Sequence, residues 1–248
     1  MVRSLKHPSR QDSDRRLGMR LTFAVTAVAL FSVPFILLLV LVVASFAPLN
    51  DLDEGIARWM HAYVLADPDY ARFLQFWTDA LGPNTWRVLV VAAALWAWYR
   101  GARRLAVWAV VTIAVSGLLN LAVKEIVDRA RPVLPDPVSW APGASFPSGH
   151  AMAAATGTSV LVLMLLPRLG SRAARISAWA LAAALTLFVA YTRVALGVHW
   201  LSDVVAGVTL GVVVTAGTAA GFEGWRRDEG RRPAEPYREG VEPEAFRR

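Results

Sequence analysis

The chain has 248 residues, of which 56% are hydrophobic and only 18% are charged. Its mean hydropathy is +0.43, which is too apolar for a soluble domain of this length and predicts a membrane protein. The absence of cysteine excludes disulfides, thiolate metal sites and a cysteine nucleophile. The net charge of +7 lies in short loops and tails between apolar runs. This placement indicates membrane topology rather than nucleic-acid binding.

Six apolar segments predict an all-α, polytopic membrane protein with six transmembrane helices in a bundle. The first segment is too long for a signal-peptide core, so we interpret it as a retained span with a predicted kink at Pro34. The second is the shortest, and it spans only if its flanking Trp and Arg side chains reach the interfaces. In chain order the segments are Leu21–Ala47, Val88–Tyr99, Leu105–Val123, Ala151–Leu166, Ile176–Thr192 and Val204–Phe222.

The basic residues predict the orientation of these spans. Residues 1–20, 100–104, 168–175 and 223–248 hold 19 of the 26 Lys and Arg residues, which places both termini in the cytoplasm. We therefore divide the chain into a basic cytoplasmic tail (1–20), a six-helix membrane domain (21–222) and a cytoplasmic, disordered tail (223–248). Seven basic residues remain on the predicted outer side, and they include Lys124, Arg131 and Arg193. Because these three residues oppose the charge bias, we expect them to have a functional role.

The predicted outer loop 48–85 carries acidic residues, and its aromatic residues recur at roughly helical spacing. This pattern predicts one or two short amphipathic helices at the outer interface. A surface cap is one interpretation of the loop, and a lid or lipid-entry ramp beside a site is the other.

Lys124 and Arg131 end the third apolar segment, seven residues apart. If the helix continues, they share one face and present a compact ammonium and a forked guanidinium, both suited to phosphate oxygens, until Pro132 ends the helix. A basic helix end at the lipid headgroups, with Lys124 paired to Asp128, explains the two residues equally well when they are taken alone.

Pro147-Ser148-Gly149-His150 opens the fourth segment. Ser148 is a natural N-cap, Gly149 allows close backbone approach, and the first N–H groups of a helix suit an anion. His150 at that end could give or take a proton at neutral pH. An ordinary capped helix start explains Ser148 and Gly149, but not His150.

Arg193, His199 and Asp203 form a third cluster, with His199 and Asp203 four residues apart on one helix face. A carboxylate there can fix the imidazole tautomer and make His199 a nucleophile, although His–Asp pairs at helix starts are also common. A metal site built from His150, His199 and Asp203 is the competing use, but these residues lack a second carboxylate cluster or an HExxH pattern. All three clusters fall on the outer side of the predicted topology.

In this order the clusters resemble the signature of the type 2 phosphatidic acid phosphatase superfamily: K-x6-R-P, then P-S-G-H, then S-R-x5-H-x3-D. The resemblance covers roughly residues 80–222, with Thr192 where the family usually has Ser. It implies a metal-independent, cofactor-free reaction through a phosphohistidine. His199 would attack phosphorus, Asp203 would orient it, and His150 would protonate the leaving oxygen. Lys124, Arg131, Arg193, Ser148 and Gly149 would bind the phosphoryl oxygens.

The resemblance implies a lipid phosphatase in the bacterial plasma membrane, with its site facing outside. Candidate substrates are polyprenyl diphosphate, phosphatidic acid and phosphatidylglycerol phosphate. A phosphotransferase with the same phosphohistidine and an alcohol acceptor is the alternative. A non-enzymatic transporter or scaffold is a third possibility, but charged residues in mid-membrane, which would favour it, are not seen. The motifs leave the lipid tail and the oligomeric state open.

Overall fold

The computed structural model describes the backbone of residues 10–228, and the side chains of 28–222 together with those of 22, 25 and 26. These residues form α-helices joined by loops and one 3-10 turn, with no strand among them, as the sequence predicts. The helices are α1 (Arg10–Val43), α2 (Ala47–Leu65), α3 (Pro68–Ala80), α4 (Pro83–Tyr99), α5 (Arg103–Val127), α6 (Gly149–Leu165), α7 (Arg172–Ala195) and α8 (Leu201–Asp228).

Four helical stretches of the described residues are long and apolar enough to cross a membrane: Arg103–Val127, Gly149–Arg168, Arg172–Ala195 and Leu201–Phe222. They contain the last four predicted spans. Val28–Val43 and Ala47–Leu65 pass the same test together, but they meet at 97°. Helix α4, which contains the second predicted span, has 17 residues, somewhat fewer than the roughly 20 that a straight span needs.

Helix α6 lies at the centre of the bundle and contacts α4, α5, α7 and α8. Glycines in α8 allow its backbone to approach that of α6. A Cβ at Gly207 would lie 2.6 Å from the Ser148 carbonyl oxygen, and one at Gly211 would lie 2.9 Å from the Met152 carbonyl oxygen. Small residues at a membrane helix interface permit this close packing, and here it fixes the start of α6 against α8.

Helices α2 and α3 occupy the predicted amphipathic loop 48–85. Helix α3 begins at an N-cap, Asp67, whose carboxylate accepts hydrogen bonds from the Asp69 and Tyr70 amides. One face of α2 is buried and carries Asp53, Ala57, His61 and Val64, at the spacing of a helix that packs on one side. The opposite face exposes large aromatic side chains, among them Trp59 and Tyr63.

Two helices end at residues other than those the sequence suggested. Helix α5 ends at Val127, because Asp128 adopts a left-handed conformation (φ 43°) as the C-cap. Arg131 therefore lies in the irregular segment 128–148 and does not share a helix face with Lys124. At the other end of the chain, α8 continues to Asp228, so the first residues of the predicted disordered tail are helical. Residues 1–9 and 229–248 of the two predicted tails lie outside the described residues.

Candidate active site

The three sequence clusters meet where α5 ends, α6 begins and α7 turns into α8. The Ser148 amide donates to the Asp203 carbonyl oxygen at 3.0 Å, which joins the second cluster to the third. Arg131 Nη1 lies 3.2 Å from His199 Nε2, which joins the first to the third. Lys124, Arg131, Arg193 and His199 are all close enough to His150 to act on it electrostatically.

His199 and Asp203 form the predicted pair. The Nδ1 atom of His199 lies 3.4 Å from Asp203 Oδ2, and the Trp200 amide donates to that same oxygen at 2.9 Å. If Nδ1 carries the ring proton and donates it to Asp203, Nε2 has a free lone pair, which points toward Arg131. Burial lowers the pKa of His199 to about 4, even though Asp203 opposes the shift. The imidazole is thus neutral, and able to act as a nucleophile, at neutral pH.

Arg131 is held by backbone carbonyls of the segments on either side of it. Its Nη1 donates to the Val198 oxygen at 2.7 Å, and its Nε donates to the Gly143 oxygen at 2.9 Å. Its Nη2 donates to the Ala144 oxygen at 3.2 Å, and the Lys124 ammonium donates to the same oxygen. The two cations that were expected on one helix therefore still converge, but through the irregular segment and not through helical spacing.

Arg193 is 4% exposed at the end of α7. Its Nη1 donates to Thr78 Oγ1 of α3 at 3.0 Å, while its buried Nε has no partner among the described residues. Thr192, the residue that replaces the usual Ser, donates to Thr78 Oγ1 at 3.0 Å and to the Val189 oxygen at 2.7 Å. An unpaired buried guanidinium N–H is costly unless a ligand satisfies it, which suits an anion-binding role.

The Pro147–His150 motif starts α6 as predicted. Ser148 is the N-cap, and its buried hydroxyl accepts a hydrogen bond from the Ala151 amide at 3.5 Å. Gly149 also has a packing role, because a Cβ there would lie 3.1 Å from Asn120 Oδ1 of α5. His150 Nε2 lies 3.6 Å from the point where a Cβ of Gly82 would stand, so the imidazole faces the start of α4.

Several polar residues that hold the site were not predicted. Asp53 and Thr78 come from α2 and α3, Arg129 from the segment after α5, and Asn120 from α5. Arg129 carried one visible signal, since it also opposes the charge bias of the predicted topology. Among the side chains that the structure describes, no group of three His, Asp or Glu residues is arranged to hold a metal ion.

Comparison with known proteins matches part of this chain to a protein family. The family model of the PAP2 superfamily matches residues 105–227. Phosphatidylglycerophosphatase B of Bacillus subtilis is 36% identical over 100 residues, which cover 39% of this chain and 48% of that protein. The undecaprenyl-diphosphatase of Sulfolobus acidocaldarius is 29% identical over 133 residues, which cover 50% of this chain and 58% of the relative. The chain thus aligns with about half the length of these curated relatives.

Two crystal structures have a similar fold. The transmembrane PAP2-type phosphatidylglycerolphosphate phosphatase from Bacillus subtilis superposes with a TM-score of 0.65 at 25% identity, covering 79% of this chain and 96% of that one. Aquifex aeolicus LpxE superposes with a TM-score of 0.53 at 19% identity, covering 68% of this chain and 94% of that one. The second likeness concerns the fold alone.

Proposed function

Because this chain belongs to the PAP2 superfamily, we propose that it is an integral membrane lipid phosphatase that works through a phosphohistidine without a metal ion. The observation that carries the proposal is the position of the buried His199 side chain. It is backed by Asp203 at 3.4 Å and faced by Arg131 at 3.2 Å. A nucleophile with an orienting carboxylate behind it and a cation in front of it suits attack on a phosphate group.

In the first step, Nε2 of His199 attacks phosphorus, and the bond to the leaving oxygen breaks as the P–N bond forms. His150 donates a proton to that oxygen. In the second step, His150 takes a proton from water, and the water oxygen attacks phosphorus. The P–N bond then breaks, which releases inorganic phosphate and restores His199. Asp203 holds the Nδ1 proton throughout and stabilises the positive charge of the phosphorylated imidazole.

Four groups would stabilise the phosphoryl oxygens. Lys124, Arg131 and Arg193 supply positive charge, and the Ser148–Gly149 end of α6 supplies backbone N–H groups and the positive end of the helix dipole. Such preorganised donors act most strongly where charge develops in the transition state. The unpaired Nε of Arg193 supports this role.

We further propose six membrane crossings, formed by α1 and α4–α8, with both termini in the cytoplasm and the site at the outer face. The distribution of basic residues supports this orientation. The substrate would then be a lipid phosphomonoester or diphosphate in the outer leaflet. Relatives named for phosphatidylglycerophosphate and for undecaprenyl diphosphate support a panel of these lipids and phosphatidic acid.

The test is phosphate release by the purified, full-length protein in detergent, with EDTA present, from each lipid in that panel. We expect release that EDTA does not affect and that His199→Ala abolishes, while His7→Ala serves as the matched histidine control. Full activity in His199→Ala, or release that EDTA removes, contradicts the mechanism. Addition of alcohol acceptors separates hydrolysis from phosphotransfer, since a new phosphorylated alcohol would identify the transferase.

A further inference from the structure

Three buried charges connect α2 to the His199–Asp203 pair. Arg129 Nη2 donates to Asp53 Oδ2 at 2.9 Å, and its Nη1 donates to Asp203 Oδ1 at 2.7 Å. The exposed fractions of the three side chains are 1% for Asp53, 12% for Arg129 and 0% for Asp203. Two carboxylates that are 150 residues apart in the chain thus share one guanidinium away from water.

We call Asp53, Arg129 and Asp203 the bridge. Its Arg129 and Asp53 members each make further contacts. Arg129 Nη1 also donates to Ser202 Oγ at 2.7 Å, and its guanidinium carbon lies 5.6 Å from the centre of the Trp200 ring. Asp53 Oδ1 accepts from the Ser202 amide at 2.9 Å, and Asp53 Oδ2 accepts from the Ser202 hydroxyl. Asp53 therefore satisfies an N–H group in the first turn of α8, although it belongs to α2.

The bridge determines how Asp203 can face His199. One oxygen of Asp203 accepts from Arg129, while the other accepts from the Trp200 amide and lies beside His199 Nδ1. With both oxygens engaged, the carboxylate cannot rotate without losing a charged hydrogen bond. Buried ion pairs add little net stability compared with apolar packing, so positioning is the better explanation for this arrangement.

We propose that Asp53 and Arg129 are positioning residues which, through Asp203 and the first turn of α8, aim His199 at the substrate phosphorus. This proposal rests on the proposed function. Asp53 lies outside the three motifs, Arg129 occupies an unspecified position of the first, between Lys124 and Arg131, and neither touches the reacting atoms. The outer helix α2 is then part of the catalytic apparatus and not only a cap over it.

The experiment measures kcat and KM for phosphate release, and the inhibition constant of inorganic phosphate, in full-length protein. The variants are Asp53→Asn and Arg129→Lys, which keep size or charge but break the bridge. The matched control is Glu54→Gln, the neighbouring exposed carboxylate of α2, which pairs at 3.5 Å with Arg58. We expect kcat to fall by about 10- to 100-fold in both bridge variants. KM and the phosphate inhibition constant should change less than about threefold, and Glu54→Gln should behave as wild type.

The split between kcat and binding separates positioning from a distorted phosphate site, which would change both. If either bridge variant does not fold, Ser202→Ala removes one hydroxyl from the bridge with less disturbance, and we expect kcat to fall about fivefold. A wild-type kcat in the folded variants, or in Ser202→Ala, overturns the proposal. So does a raised KM at unchanged kcat. Activity retained by His199→Ala overturns both proposals, whereas an inactive His199→Ala with unaffected bridge variants overturns only this one.

Discussion

The ends of α5–α8 and the helices α2 and α3, called the outer helices after the outer loop predicted there, both place polar side chains at the site. Those side chains do different work. The bundle supplies the groups that would meet phosphate, such as Lys124 and Arg193. The outer helices supply buried partners: Thr78 accepts from Arg193, and Asp53 accepts from Arg129, which in turn donates to Asp203. The chemistry is thus concentrated in short motifs, whereas its alignment is spread over the chain.

The two regions also differ in how they are held. Helices α6 and α8 touch almost backbone to backbone at Gly207 and Gly211, which leaves little freedom for the start of α6. The outer helices reach the site through side-chain hydrogen bonds, for example from His61 Nε2 to the Pro135 oxygen at 2.8 Å. We therefore expect the bundle to determine the positions of the helix ends, and the outer helices to determine the orientations of individual side chains at the site.

Removal of a phosphate-binding cation from the bundle is expected to have the largest effect. In Arg193→Gln, the developing charge on the phosphoryl oxygens loses a buried, partly unpaired guanidinium. We expect kcat/KM for phosphate release to fall by about 10²- to 10³-fold. Arg72→Gln is the matched control, because Arg72 is exposed on α3 and pairs with Asp69 on the same helix. A loss of less than about threefold in Arg193→Gln would exclude a phosphate-binding role.

A methyl group placed between α6 and α8 should disrupt their close packing and lower the stability of the bundle. The new Cβ in Gly211→Ala would stand 2.9 Å from both the Met152 oxygen and the Ala155 Cβ. We expect a loss of about 1–3 kcal/mol in stability, seen as a lower Tm in detergent. Gly221→Ala is the control, because nothing lies within 4 Å of its new Cβ and alanine favours a helix. An equal Tm for both variants would mean that the interface is loose.

The sequence predicted the parts of the molecule that are specified locally. Continuous apolar runs predicted the helical bundle, and Ser148 was recognised as the N-cap of α6, because both depend on residues adjacent in the chain. The match of the motifs to a known family predicted the superfamily, which the comparisons confirm. The roles of the individual site residues stay predictions.

What could not be predicted depends on contacts between distant parts of the chain. Asp53 and Arg129 are 76 residues apart, and no spacing rule connects them. The end of α5 at Asp128 was also missed, because no glycine marks it. Aspartate can adopt the left-handed conformation, but nothing local requires it to do so here. Arg131 lies beside His199 by way of that irregular segment, and not by the helical spacing from which the sequence predicted it.

An outer residue that acts on the bundle through a single hydroxyl group should have a moderate effect. Thr78→Val keeps the shape of the side chain but removes the acceptor for Arg193 Nη1 and for Thr192. We expect kcat/KM to fall about tenfold, because a buried hydrogen bond to a charged group is lost. Thr78→Ser retains the hydroxyl and should recover most of the activity. Equal activity in the Val and Ser variants would show that Thr78 only fills space.

The smallest expected effect is the response of His199 to pH between 8 and 6. Burial favours the neutral imidazole and lowers the pKa of His199 to about 4, so lowering the pH over this range should leave the nucleophile unprotonated. Histidine resonances of isotope-labelled protein in detergent, assigned by their loss in His199→Gln, should show no titration of this ring above pH 5.5.

The same pKa also predicts the pH dependence of stability. The unfolded chain binds a proton at the usual histidine pKa of about 6.5, whereas folded His199 does so only near 4. Its contribution to stability is therefore complete above pH 6.5 and is lost as the pH falls from there toward 4. In His199→Gln this part of the acid-induced fall in Tm should be absent. If the His199 resonances instead titrate with a midpoint between pH 6 and 7 in the wild type, the ring is exposed to water. The outer helices then restrain the site less than their hydrogen bonds indicate.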